Sequence, residues 1–260
     1  MIDGVVDYRG FAARLARACE TAEGRDTLLA DFHREWGFAG TVAEPADPTA
    51  LGELGRTVLG FAPPAALIAW LAHPHNSFLA EPGLYETYLT WLPDDEDEPF
   101  VAAAATGHRG MYVFMAENQY CCEWAFSLDD IDRGLADPPV YVGTSEDADS
   151  WEVQSRSFTE WVIQVAIIRV LIDTAERWTW PDDVPAHPRP PALGTVLPEI
   201  GLLPWKELGN EVHFFGGEDT IVLHLPHSEG GELYDIEVFG RTEEAMLHTA
   251  RLLHPGAEAN

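Results

Sequence analysis

Basic residues are scarce. The 260 residues carry 15 Lys and Arg against 44 Asp and Glu, a formal charge of −29. Phosphate backbones and anionic membrane surfaces are bound through Lys and Arg, so this balance excludes a nucleic-acid binder and a membrane-surface protein and predicts a basic macromolecular partner. Cysteine is equally sparse: Cys19, Cys121 and Cys122 make no even disulfide framework. With no charged segment followed by an apolar run at its start, the sequence predicts a cytoplasmic protein. Long hydrophobic runs are missing too. The longest, "WVIQVAIIRVLI" at 161–172, is interrupted by Gln164 and Arg169 and falls short of the roughly 17 residues a membrane span needs, so it predicts a core helix. There is no G-x-S-x-G, no P-loop and no G-x-G-x-x-G after a strand, and the acids are too numerous for spacing to select a catalytic pair. No catalytic residue is assigned and no cofactor is implied.

What is present is a globular composition, 46% hydrophobic with nine tryptophans, unlike acidic disordered chains that lack aromatics. The length fits one large domain or a main domain with an appendage. Apolar residues at three- and four-residue spacing predict helix through the first 36 residues, and the Gly, Pro and Ala content of 37–56 predicts a loop. The Pro pair in "LGFAPPAALIAWLAH" opens a further helix. "FVAAAATGHRGMYVFMAENQYCCEWAF" reads as two antiparallel strands turning at "GHRG", and "GLADPPVYV" as a turn feeding a short edge strand. A helix is predicted from Phe158 to about Trp178, opened by a capping box of Ser157 and Glu160 and buried against the sheet. Six prolines from Pro181 to Pro198 predict a stiff connector. Beyond it "EVHFFGGEDTIVLHLP" reads as a hairpin turning at "GGED", "ELYDIEVFG" as a third strand, and "TEEAMLHTARLL" as a helix capped by Thr242. The expected organisation is an α+β domain over 1–180, a connector over 181–200 and a C-terminal βββα unit over 201–260.

Two clusters invite chemistry. In a strand, Tyr120, Cys122, Trp124 and Phe126 share one face while Cys121, Glu123 and Ala125 share the other, so the adjacent thiols point apart. Their Cα atoms are held about 3.8 Å apart, outside the disulfide window of about 4.4–6.8 Å. Both cysteines therefore read as structural. In the C-terminal hairpin, a four-residue turn at Gly216 to Asp219 sets His213 opposite Val222 and Glu211 opposite His224, with all three polar side chains on one surface. That set has two readings: ligands of a metal-assisted hydrolase, or the solvated back of a hairpin whose core face is Val212, Phe214, Ile221, Leu223 and Leu225, with Asp235 and Glu237 continuing the polar side. Structural zinc wants four ligands and a fourth is missing, so no metal is expected.

Four segments in order, "LGFAPPAALIAWL", "MYVFMAENQYCCEWAF", "DPPVYV" and "SFTEWVIQVAI", resemble the landmarks of the SUKH superfamily, which contains polymorphic-toxin immunity proteins and fungal cell-wall-synthesis regulators. The resemblance runs from about Leu59 to Leu171. It implies an α+β domain, a mainly antiparallel sheet packed by helices, that binds a protein and performs no catalysis. Glu117, Asn118, Gln119 and Trp124 match the strand motif and become candidate partner contacts; Asp137, Pro138, Pro139 and Val140 match the second motif as scaffold. Residues 81–150 hold sixteen acids against Arg109 and Arg133, and the run Asp94, Asp95, Glu96, Asp97 and Glu98 is a further candidate contact. The expected partner is a basic protein toxin met by a monomer or weak homodimer. An intracellular scaffold without a toxin partner is the competing binding reading.

Overall fold

The computed structural model describes residues 4–37, 47–72, 85–87, 110–117, 122–144, 150–171, 175–180, 193–207, 210–226 and 234–258. They fall into two units: 39–161, and 1–38 together with 162–260. Each contains a five-stranded antiparallel sheet with helices, which is the α+β class expected. This grouping differs from the expected 1–180 domain and 201–260 appendage, since the N-terminal helices join the C-terminal strands.

In the unit of 39–161, α3 (Pro48–Leu59) and α4 (Ala65–Ala72) precede a meander in the order β1 (Tyr85–Thr87), β2 (Met111–Glu117), β3 (Cys122–Ser127), β4 (Val140–Thr144) and β5 (Trp151–Ser155). A short helix α5 (Leu128–Asp132) follows β3, and α6 (Phe158–Ala166) follows β5. The residues from 48 onward are helical where a loop was expected: Asp47 accepts the Thr49 N–H at 2.9 Å, Pro48 occupies the first turn, and Leu51, Gly55 and Leu59 line one buried face. The capping signal there outweighs the loop-like composition. Of the expected turn at "GHRG" only Gly110 lies within the described residues. β2 pairs with β3, from Met111↔Ser127 to Ala116↔Glu123, so the hairpin connection is 118–121, and the other neighbour of β2 is β1. β4 is not an edge strand either; it lies between β3 and β5, because the two prolines precede the strand and leave its N–H groups free for the ladder.

The large side chains of this sheet gather on one face. Phe114 stacks on Phe126 with ring centroids 4.5 Å apart, Trp161 meets Phe114 edge-on at 4.9 Å, and Phe158 and Trp70 complete the group, every ring at most 4% exposed. α4 and α6 thus cover that face. The expected capping box is present in altered form: Ser157 Oγ accepts the Glu160 N–H at 3.1 Å, while Glu160 Oε2 reaches back to the Arg156 N–H at 2.9 Å. α6 ends sooner than expected. It widens into a π turn over Ile167–Leu171, and Glu176–Thr179 is strand β6. In "ERWTW" buried Trp178 and Trp180 flank half-buried Thr179, and pairing of Glu176–Thr179 with β10 fixes the segment as a strand.

In the other unit the order is β6, β10 (Tyr234–Gly240), β9 (Thr220–Pro226), β8 (Asn210–Gly217) and β7 (Trp205–Glu207). The expected βββα strands are therefore the centre of a larger sheet. Helix α7 (Glu243–Leu253), capped by Thr242, places Met246 and Ala250 in one core with Phe215, Val222, Val238 and Trp178. Residues 193–200, expected to be connector, contribute buried Leu193, Leu197 and Ile200; 181–192 lie outside the described residues. The hairpin turn is two residues rather than four, since Gly217 pairs with Thr220. Gly216 is a strand residue: a Cβ there would stand 2.4 Å from Ile200 Cγ2 and 2.8 Å from Tyr8 Cβ, so glycine serves close approach and Asp219, at φ 54°, makes the turn.

At this unit's N-terminus, a 3₁₀ turn (Tyr8–Gly10), α1 (Phe11–Ala18) and α2 (Ala22–Trp36) enclose Tyr8, Phe11, Phe32 and Trp36. Buried Glu35 accepts from the Tyr8 hydroxyl at 2.9 Å and from Arg14 at 2.7 Å. Burial first, and the Glu35 carboxylate second, push ionisation of the Tyr8 phenol far above its ordinary value. The unfolded chain releases that proton near pH 10 while the folded chain keeps it. Stability is then complete below pH 10 and falls as pH rises beyond it. In urea unfolding from pH 8 to 11, Tyr8→Phe should cost about 1–3 kcal/mol at pH 8 and flatten the alkaline decline; an equally steep decline in the variant would contradict this.

Candidate functional site

The "ENQ" strand motif ends a hairpin. Glu117 is the last residue of β2, its backbone opposite Tyr85, while Asn118, Gln119 and Cys121 lie outside the described residues. Trp124, a candidate contact, is fully buried at 0% exposure on β3 and paired with Val142, so it belongs to the core and cannot meet a partner. Cys122 is buried beside it on the same strand face, as the alternation of side chains requires. The acidic run Asp94 to Glu98 also lies outside the described residues.

The Asp-Pro-Pro motif sits between two helix starts. Ala136 accepts the N–H of Ala66 in the first turn of α4 at 2.8 Å, and Asp137 Oδ1 accepts the N–H of Thr159 in the first turn of α6 at 3.0 Å. Both donors are among those a helix cannot satisfy internally. Pro138 is buried and Pro139 half-buried, and with their fixed φ they carry the chain from these caps into β4.

The sheet face opposite the aromatic core was not singled out by sequence. Val113, Ala125, Tyr141 and Val153 form one cross-strand row, and Glu123, Gly143 and Trp151 share the next. Met111, Val113 and Ala125 are buried; Tyr141 and Trp151 pack against them half-buried, and Val153 is 44% exposed at the β5 edge. Trp151 lies over Gly143: a Cβ on Gly143 would stand 3.0 Å from the indole ring. The Tyr141 hydroxyl donates to Asp130 Oδ2 at 3.4 Å, and Arg133 pairs with Asp130 Oδ1 at 3.0 Å. Partial burial, then the Asp130 charge, raises the Tyr141 phenol above its ordinary value, so it stays a neutral donor at neutral pH. The signal available in sequence was the alternation of "WEVQS" directly after an acidic stretch.

The histidine set changes composition. With the two-residue turn, His213 lies directly opposite His224, their ring centroids 6.3 Å apart, and Glu211 no longer faces His224. The expected solvated back is overturned, because His224 is 1% exposed and Phe215 and Val222 on the same side are fully buried beneath α7. His213 Nδ1 stands 3.9 Å from Glu199. Among the described residues no group of three or more His, Cys, Asp or Glu could hold a metal ion.

Replacing Asp137 with Ala leaves the Thr159 N–H without this cap and should lower stability by about 1–2 kcal/mol in chemical denaturation. Asp137→Asn, which keeps an acceptor, should recover part of it. Equal losses in the two variants would show that the carboxylate acts otherwise than as a cap.

No family model, no curated protein and no solved structure matches the chain.

Proposed function

We propose that the chain is a non-catalytic acidic binding protein of immunity type, which neutralises a basic, nucleic-acid-acting toxin in the cytoplasm. The observation that carries this reading is the excess of 44 acids over 15 bases, concentrated in residues 81–150. A toxin that binds nucleic acid presents a cationic surface to phosphates, and an acidic protein competes for that surface while its field speeds encounter. The segments behind the SUKH resemblance fall on α4, β2, β3, β4 and α6, an antiparallel meander packed by helices, which is the arrangement that resemblance implies. Binding by a monomer or weak homodimer requires neither metal nor cofactor.

The test is to isolate the protein that co-purifies with this chain from its native cytosol, and to assay that protein's activity with and without an equimolar amount of the chain. A basic partner whose activity is abolished supports the reading; an acidic partner, or one that stays fully active in the complex, overturns it. Replacing Asp94, Asp95, Glu96, Asp97 and Glu98 by Asn and Gln should slow association about tenfold at low salt, with the difference shrinking as the Debye length falls to about 8 Å near 0.15 M. An unchanged association rate at low salt would remove this run from the steering surface.

A further inference from the structure

The outer face of the first sheet combines two features rarely left exposed together. One is a pair of half-buried aromatic rings set in place from below: Tyr141 is tied through its hydroxyl to Asp130, and Trp151 rests on the bare backbone of Gly143. Beside them the Val153 side chain stands 44% exposed at the sheet edge. The other is charge. The described residues from Cys122 to Ser155 include six acids against the single base Arg133. Glu123 shares the row of Gly143 and Trp151, and Asp129 and Asp132, on the helix whose Asp130 ties Tyr141, are exposed.

We infer that the face formed by Tyr141, Trp151 and Val153 is the docking surface for an arginine-rich face of a basic protein. This rests on the binding function proposed above and names the chemistry its partner must present. A guanidinium lies flat on an aromatic ring while its N–H groups reach neighbouring carboxylates, and it is weakly hydrated enough to be covered. An ammonium is a hydrated point charge and gains less from the same surface. Carboxylates beside half-buried rings therefore select arginine over lysine, whereas an acidic loop alone would not distinguish them. The Gly143 backbone is part of the selection, since a methyl group there would stand 3.0 Å from the indole and shift the ring by a few tenths of an ångström.

The experiment uses the full chain with deca-arginine and deca-lysine peptides of equal charge, measuring affinity by tryptophan fluorescence and mapping the site by backbone hydrogen exchange. Deca-arginine should bind about three- to tenfold more tightly than deca-lysine and should protect amides in 141–143 and 151–153. Val153→Arg, at an exposed edge position, should weaken deca-arginine binding about tenfold with an unchanged melting temperature. Gly143→Ala leaves every charge in place and should narrow the difference between the two peptides. Equal affinities in the native chain, protection confined to other segments, an unaffected Val153→Arg variant, or no binding of either peptide would each overturn this surface. Sedimentation of the unliganded chain showing a dimer dispersed by Val153→Arg would assign the face to a second copy instead. None of these outcomes bears on whether the co-purifying protein is basic and inhibited, so the surface and the function fail separately.

Discussion

The packing of Trp70, Phe114, Phe126, Phe158 and Trp161 against one another decides which face of the first sheet is covered by helices and carries its largest rings. Each ring removes a large apolar area from water, and each well-placed pair contributes about 0.5–1.5 kcal/mol beyond that burial. With the largest rings used on one side, the opposite side carries Met111, Val113 and Ala125 under two half-buried aromatics. The caps from Ala136 and Asp137 follow from the same constraint. Two helices that begin against this core need acceptors for their first N–H groups, and one short segment supplies both.

In the other unit the corresponding device is polar. Asp219, at the tip of the β8–β9 hairpin, accepts from the Val6 N–H and pairs with Arg241, whose Nε also donates to the Glu35 carbonyl. Arg241 thereby ties the end of α2, the N-terminal segment at Gly4 and the start of α7 to one turn. With its side chain 4% exposed, truncating it would leave the partly buried Asp219 carboxylate without its cation and remove the contacts that join these three segments. The neighbouring Tyr8 and Arg14 contacts satisfy the buried Glu35 carboxylate in the same region.

Much of the fold is legible in the sequence where local signals agree. The capping pair Ser157 and Glu160, the N-cap Thr242 and the Pro pair before α4 each mark a helix start that the structure shows. The failures have particular causes. Gly216 and Gly217 resemble a turn but lie in β8, Gly216 in close approach to Ile200 and Tyr8 and Gly217 to Thr220, and the shorter turn brings His213 opposite His224. Asp47 and Pro48 announce a helix inside a loop-like composition. Trp178 reads as the end of an apolar helix because both periodicities tolerate it, and only pairing with β10 decides. Of the candidate contacts, Trp124 proves to be core because alternation tells which residues share a face, not which face is covered. Tyr141, Trp151 and Val153 escape notice because their exposure depends on β5 being an edge, a property of the assembled sheet.

The proposal of a cationic partner met over a partly apolar surface rests on the chain's excess of acids and on the aromatic face opposite its core. Equilibrium affinity for the co-purified partner as a function of salt tests this most directly. Titrating the complex between about 0.05 and 0.5 M salt should weaken it steeply and then level off, as screening removes the charge contribution and leaves the apolar contacts. An affinity independent of salt across that range, or one that strengthens as salt is added, would contradict the account.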